Sequence, residues 1–164
     1  MALSDLFAPP VVDAAIARYG LAPSAKESGE KILSDVFFCS SCREGRAHAA
    51  IGQAVYRYYF ARKYFDFLLG LGAFHGSELP FIFGNDLNRL GVQAPGRPLQ
   101  RAMQGYWTTF ARTGDPNGGE RATWPRYQQA GDVVLRLDVP LGEETELRTQ
   151  ACDFWDSQLK SGQQ

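Results

Sequence analysis

The stretch GAFHGSELPFIFG occupies residues 72–84 and sets His75, one of only two histidines, in a glycine-flanked turn between two apolar runs. Gly72 and Gly76 permit tight or positive-φ backbone there, so the turn can present an imidazole at the edge of a core. An imidazole in such a place suits a catalytic base. Most histidines do no chemistry, however, and from these residues alone a packed or solvated loop histidine is the simpler interpretation.

Three ordered motifs resemble the type B carboxylesterases, the family that includes the cholinesterases. The first is the histidine stretch, which is similar to the segment that carries the family's triad histidine. The second is YWTTFARTGDPN (106–117) followed by WPRY (124–127), which looks like the family's post-histidine helix, Gly-Asp-Pro-Asn turn and Trp-Pro segment. The third, QACDFWD (150–156), resembles the family's terminal helix, and weaker similarity upstream extends the resemblance over most of the chain.

The resemblance implies the C-terminal part of an α/β-hydrolase fold. Neither a Gly-x-Ser-x-Gly elbow nor a His-Gly-Gly loop occurs in the 164 residues, although the family uses both. The family's acidic triad member lies far upstream of the histidine, whereas 74 residues precede His75 here. We therefore expect the α/β fold class, helix-rich with few strands and an incomplete sheet, with residues 1–164 as a single partial domain.

Helix signals dominate the chain. An apolar stripe that follows two prolines predicts a first helix from Pro9 to Gly20. A second helix is predicted to begin at Ser24, in capping-box spacing to Glu27, with a buried face of Ile32, Leu33, Val36 and Phe37. The clearest stripe runs from Leu99 to Ala111, and Gly114 should end it. We expect the aromatic members of these stripes to be core residues.

The C-terminal part of the sequence predicts one more helix. It carries an apolar face with Leu147, Ala151, Phe154, Trp155 and Leu159. Acidic residues are expected near its positive N-terminal pole and Lys160 near its C-terminal pole, the acidic ones being Glu143, Glu144 and Glu146.

Two strands are predicted, at residues 54–60 and 133–137. Two strands cannot make a self-sufficient doubly wound sheet, so something else should complete it. An isolated chain would then expose the edge of the first strand and the apolar faces around Tyr106, Trp107, Phe154 and Trp155. We expect a homo-oligomer that hides these surfaces, most simply a two-fold dimer, with a molten or aggregating monomer as the alternative.

By resemblance, His75 is the triad histidine. It would take the proton from an upstream serine, return it to the departing alcohol and activate water for deacylation. Gly76, Ser77 and Glu78 are expected to support it, since Glu78 matches a supporting glutamate of the family and not the triad acid. Ser77 has neither an elbow nor adjacent oxyanion donors to activate it.

Other candidates near the histidine receive weaker roles. Phe74, Phe81 and Phe83 line or support the neighbouring pocket or pack in the core, and the sequence leaves both interpretations open. His48 lies in an alanine-rich, helical stretch (43–53) without a partner motif, so we interpret it as structural or exposed. A minimal esterase whose nucleophile is Ser77, Ser40 or a cysteine is the least favoured hypothesis.

The cysteines are Cys39, Cys42 and Cys152. In secreted animal members of the family, a cysteine shortly after the position of Asp35 pairs with one in the terminal helix, and Cys152 falls on the latter position. The resemblance thus implies a bridge from Cys39 or Cys42 to Cys152, although neither matches the upstream position in full. Buried, unbridged thiols are the expected state. Cys39-x-x-Cys42 lacks a second ligand pair, so no metal site is predicted.

Composition excludes several classes of function. The chain has 17 Lys and Arg against 18 Asp and Glu, so no basic field indicates nucleic acid or an anionic membrane. No apolar run approaches the length of a membrane span. The start Met1-Ala-Leu-Ser-Asp lacks a basic-then-apolar export signal, which favours the cytoplasm. No cofactor is expected.

The resulting hypothesis is the C-terminal segment of a serine carboxylic-ester hydrolase that supplies the triad histidine but neither the nucleophile nor the oxyanion hole. Its partner would be a small ester substrate, once the upstream portion completes the site. A non-catalytic, esterase-derived domain that acts in assembly is the alternative.

Overall fold

The computed structural model describes residues 3–20, 25–63, 72–84, 96–128 and 131–161. The chain divides into two compact units, Met1–Arg46 with Arg148–Gln164 and Ala47–Leu147. In chain order, the elements are a 3-10 turn (Leu3–Asp5), α1 (Pro9–Tyr19), α2 (Ala25–Ala50), β1 (Tyr58–Phe60), α3 (Leu79–Ile82), α4 (Gly96–Thr113), β2 (Val134–Leu137), β3 (Gly142–Glu144) and α5 (Thr149–Ser161). The expectation of a single domain stays a prediction.

Helix α1 has the bounds that its local signals predict. Its first two residues are Pro9 and Pro10, whose fixed φ suits the start of a helix. It ends at Gly20, which adopts φ 69° and donates its N–H to the Ile16 carbonyl at 2.9 Å. Ala15 is buried on its inner face.

Helix α2 is one 26-residue element, where the sequence predicted two separate helical stretches. The predicted cap, Ser24, lies outside the described residues. Ile32 is buried as expected, but the side chain of Phe37 is 70% exposed, so its predicted burial is wrong. Five helical steps place Phe37 about 140° around the helix from Ile32, nearly on the opposite face.

A disulfide between Cys39 and Cys152 joins α2 to α5. The expectation of unbridged thiols is therefore wrong for these two residues, and Cys39 is the partner where the resemblance left Cys39 and Cys42 open. Cys42 is also buried and lies outside the bridge. One buried cluster contains all three cysteines together with Ala15, Ile32 and Trp155.

The expected exposure around Trp155 is also wrong, because its side chain is 4% exposed. Its ring lies 5.4 Å from that of Phe7, and its indole N–H donates to the Tyr19 hydroxyl at 3.0 Å. The neighbouring Phe154 is half-buried. Residues from the start of the chain thus cover this face of α5.

The sheet has three strands in the order β1-β2-β3. β1 and β2 are parallel, with Tyr58 opposite Leu135, and β2 and β3 are antiparallel. The predicted first strand (54–60) is shortened to Tyr58–Phe60, and β2 follows its prediction.

β3 was not predicted, and it contains two of the glutamates expected at the start of the last helix. Glu143 and Glu144 lie on β3, opposite Leu135 and Val134 of β2, so their predicted place at the helix pole is wrong. Glu146 and Arg148 have positive φ (53° and 58°). Neither a right-handed helix nor a strand continues through such backbone, so β3 and α5 are separate elements. α5 consequently begins at Thr149 with no acidic residue in its first turn, and Leu147 precedes it.

The core of the second unit lies between the sheet and α4. Helix α4 ends before Gly114, as predicted. Tyr106 is fully buried on it, which confirms the core role predicted from the apolar stripe and contradicts the exposure expected of an isolated chain. Its ring lies 5.3 Å from that of Trp124, and its hydroxyl donates to the Ala122 carbonyl at 2.6 Å. The buried cluster comprises Phe81, Leu99, Met103, Tyr106, Trp124, Leu135 and Leu137. A helix-rich α/β chain with few strands is thereby confirmed.

Candidate active site

The His75 turn precedes the short helix α3 in the second unit. Gly72 and Gly76 adopt φ of 62° and 83°, the left-handed backbone that their lack of a side chain permits. The Ser77 N–H donates to the Phe74 carbonyl at 3.0 Å, and the Leu79 N–H donates to the Gly76 carbonyl at 3.1 Å. His75 itself is exposed. The turn thus presents the imidazole at the surface of its unit.

Helix α3 fixes this turn to the core. Phe81 is fully buried, and its ring lies 5.3 Å from that of Phe60 on β1. Its N–H donates to the Glu78 carbonyl at 2.9 Å, and the Gln100 side chain on α4 donates to the Pro80 carbonyl at 3.2 Å. Of the two interpretations left open, core packing therefore holds for Phe81.

The other two phenylalanines of the motif differ from Phe81. Phe83 is 74% exposed, and Phe74 is half-buried. The difference follows from the short helix: Phe81 lies on the side of its single turn that faces the core, whereas Phe74 precedes the helix and Phe83 follows it. A pocket-lining role for Phe74 and Phe83 stays a prediction.

Ser77 and Glu78 have contrasting environments. Ser77 is 2% exposed, and its Oγ has no hydrogen-bond partner among the described residues. A buried hydroxyl without a partner is costly, so this position favours a partner contributed from elsewhere. Burial raises the pKa of the Tyr58 hydroxyl, and the negative charge of Glu78 raises that pKa further. The Glu78 carboxylate therefore acts electrostatically on the Tyr58 hydroxyl of β1. Its support of His75 stays a prediction.

An aromatic cavity of about 180 Å³ lies beside β1 and α4 in the same unit. The Trp124 indole N–H donates to the Arg57 carbonyl at 2.9 Å, which leaves that part of the wall apolar. The residues that line the cavity are Tyr56, Tyr58, Tyr106, Trp107, Phe110, Pro116 and Trp124. From the sequence, such aromatic residues were expected to be core residues, and no aromatic cavity was predicted. The signal for a shared wall is the i, i+2 spacing of Tyr56 and Tyr58 in the segment predicted as the first strand, although β1 itself begins at Tyr58.

His48 occupies a different environment from His75. It is exposed near the end of α2, where its Nδ1 lies 2.6 Å from the Gln53 side-chain oxygen and its carbonyl accepts the Gln53 N–H at 3.1 Å. Its contacts are those of a residue that closes a helix end, in agreement with a structural or exposed role.

Metal-binding clusters and membrane-spanning helices are both absent from the described part of the chain. No group of three or more His, Cys, Asp or Glu side chains there is arranged to hold a metal ion. None of the helices described is both long and apolar enough to cross a membrane.

Comparison with known proteins decides the family. The model of the carboxylesterase family matches residues 18–155, which include the histidine turn, the sheet and most of α5. This chain belongs to the carboxylesterase family. The match covers the first two motifs in full and the third as far as Trp155.

Curated relatives cover the same region. Human carboxylesterase 5A is 33% identical over 139 residues, and acetylcholinesterase of Bungarus fasciatus is 30% identical over 142 residues. These alignments cover 78% and 80% of this chain but 24% and 23% of the relatives. A solved structure of PNB esterase matches with a TM-score of 0.54 at 29% identity, over 62% of this chain and 21% of that one. This carboxylesterase-family segment thus spans about a quarter or less of the proteins it resembles.

Proposed function

We propose that this chain is the histidine-bearing C-terminal segment of a serine carboxylic-ester hydrolase. The observation that carries the proposal is His75: an exposed imidazole on a two-glycine turn, fixed to the core through Phe81, within the region that the family model matches. A rigid support for an exposed base is what proton transfer requires, because the base must stay within hydrogen-bond reach of the reacting hydroxyl.

The chemistry assigned to His75 is general base and then general acid catalysis. Its imidazole takes the proton of an incoming serine hydroxyl, returns that proton to the leaving alcohol, and then activates water to release the acyl group. The serine, the oxyanion donors and the acid that orients the ring come from an upstream portion, because this sequence contains no Gly-x-Ser-x-Gly elbow. The buried Ser77 Oγ would find its hydrogen-bond partner in the same portion.

The chain alone should be inactive on this proposal. We expect no covalent adduct with a fluorophosphonate probe and no aryl-ester hydrolysis beyond that of free imidazole at equal concentration, because the oxyanion hole and nucleophile supply most of the rate. Turnover that disappears in the Ser77→Ala variant would replace the proposal with a minimal esterase.

The test of His75 is a fusion of this chain to the upstream portion of a related esterase. His75→Ala should lower kcat by about 10³ to 10⁶ fold, the range for loss of a triad base. His48→Ala is the matched control, and it should leave kcat nearly unchanged. Equal and mild effects of the two substitutions would refute the role of His75.

A second candidate function is assembly without catalysis. Among the described residues, β1 pairs with β2 alone, which leaves its outer edge open. Tyr58 on β1 and Phe110 on α4 line the same cavity and are 38% and 46% exposed. An open edge next to apolar side chains is a template for another strand, so a homo-oligomer is proposed. Light scattering and near-ultraviolet circular dichroism test it, and a well-packed monomer at micromolar concentration would contradict it.

The disulfide bears on the compartment in which the protein works. Bridges such as Cys39–Cys152 form and persist in oxidising environments and are rare in the cytosol. We therefore propose an oxidising compartment in place of the cytoplasm that the start of the sequence favours.

A further inference from the structure

Cys42 stands in an unusual relation to the Cys39–Cys152 bridge. It lies three residues after Cys39 on α2, a spacing that brings Cβ atoms on one helix face to about 5–6 Å from each other. Cys39, Cys42 and Cys152 are 0%, 1% and 2% exposed and belong to one buried cluster. A thiol is thus held beside a disulfide, on the helix face that packs against α5.

We propose that Cys42 is a second partner for Cys152, so that the bridge exchanges between Cys39–Cys152 and Cys42–Cys152. The deprotonated Cys42 Sγ attacks the Cys152 Sγ and forms the new S–S bond. The Cys39 Sγ leaves as a thiolate and takes up the proton that Cys42 released. The exchange is an isomerisation, so it consumes neither an oxidant nor a reductant.

Exchange moves the cross-link by three residues along α2, which is about 4.5 Å of helix rise. Two ion pairs on either side of Cys39 hold the observed register of α5. Asp35 Oδ1 accepts from Arg148 Nη1 at 2.5 Å, and Asp156 Oδ1 accepts from Arg43 Nη1 at 2.7 Å. Asp35 and Arg43 each lie four residues, about one helical turn, from Cys39. These pairs favour the Cys39–Cys152 form and set how much of the other form is present.

Thiol counting in single variants tests the pairing directly. Cys39→Ala, Cys42→Ala and the double variant are folded in a glutathione redox buffer, quenched with acid and alkylated with N-ethylmaleimide in denaturant. Intact mass should show no free thiol in either single variant and one in the double variant, the control without a partner for Cys152. Two free thiols in a folded Cys39→Ala chain would overturn the proposal.

The unmodified chain provides the second measurement. The chain is alkylated at the acid quench and mapped without reduction, and fragment-ion sequencing places the alkylated cysteine, because only Ser40 and Ser41 separate Cys39 from Cys42. This should recover a minor Cys42–Cys152 peptide, alkylated at Cys39, beside the main Cys39–Cys152 peptide, alkylated at Cys42. Asp35→Asn should raise the minor fraction several-fold, because it weakens the pair with Arg148, whereas Glu27→Gln, at an exposed ion pair on the same helix, should not. The absence of the minor peptide in both chains refutes the exchange, even if Cys39→Ala fails to fold.

Discussion

At the scale of single residues, Arg57 and Asp132 form a nearly buried ion pair in the second unit. The Arg57 guanidinium lies 2.5 Å from Asp132 Oδ1, and the two side chains are 9% and 11% exposed. The guanidinium also lies over the Tyr127 ring, 5.2 Å from its centre. Neither charge is well solvated, so each depends on its partner.

Neutralising the acid of this pair should therefore destabilise the fold. Asp132→Asn keeps a residue that tolerates the observed φ of 43° and removes only the charge. We expect the free energy of unfolding to fall by about 3 kcal/mol, because a buried arginine loses its counter-ion. Glu27→Gln is the control at an exposed pair with Lys31 and should change it by about 0.5 kcal/mol or less. Equal effects in urea denaturation would show that the Arg57 pair is effectively solvated.

Asp115 provides a residue-scale prediction about pH. The backbone N–H and then the side-chain amide of Asn117 donate to its Oδ1, both at 2.8 Å, and they lower the pKa of the Asp115 carboxyl. Because the pKa is lower in the folded state, this stabilisation is present above the unfolded-state pKa and is lost as pH falls through the folded-state pKa. Asn117→Ala should raise the pKa only part of the way, since the backbone N–H remains. Carbon-13 NMR titration of the Asp115 carboxyl in both chains measures the two pKa values. A midpoint at or above the ordinary aspartate pKa in the unmodified chain would contradict the role assigned to Asn117.

At the scale of elements, backbone conformation explains where the helices begin and end. α4 ends at Gly114, whose φ is 77° and whose N–H donates to the Phe110 carbonyl at 2.7 Å. Gly29, by contrast, lies inside α2, and a Cβ added at either glycine would meet no atom within 4 Å. The two sites therefore differ in backbone conformation and not in crowding.

The same substitution should have opposite effects at these two glycines. Gly29→Ala should stabilise the chain by about 0.5–1 kcal/mol, because alanine is the better helix former. Gly114→Ala should destabilise it by about 1–2 kcal/mol, because a side chain at positive φ clashes with the backbone. Thermal unfolding of both variants is the measurement. Changes of the same sign would rule out backbone conformation as the cause.

At the scale of the whole molecule, the described residues form two separate buried clusters. One contains the three cysteines and Trp155, and the other surrounds Tyr106 and Trp124. The first unit is made from both ends of the sequence, and the bridge within it joins positions 113 residues apart. Only the second unit carries His75.

Reduction of the bridge should thus affect the two units unequally. Removing a cross-link that closes so long a loop costs about 2–5 kcal/mol. Hydrogen exchange should become faster in α1, α2 and α5 after reduction, with much smaller changes in β1, β2 and α4. Mass spectrometry of peptides after timed exchange resolves this, with the oxidised chain as control. Uniform acceleration would mean that the chain unfolds as a single cooperative body.

The features that the sequence determined by itself are local or depend on resemblance. The prolines and Gly20 set the ends of α1, the apolar period and Gly114 set the end of α4, and two glycines shape the His75 turn. These signals act within a few residues, because helix ends and turns depend on backbone torsions and on neighbouring side chains. The ordered motifs likewise identified the family without any contact map.

Tertiary structure alone decided what is buried and what is paired. The helical stripes marked Tyr106 and Trp155 as candidate core residues, but only the folded chain shows which side chains cover their rings. Strand β3 likewise exists only because it pairs with β2. The choice of Cys39 over Cys42 required the position of α5 against α2. The contacts that cover Trp155 and form the bridge join positions 136 and 113 residues apart. Removal of apolar surface from water stabilises the first and a covalent bond fixes the second, and no local pattern encodes either.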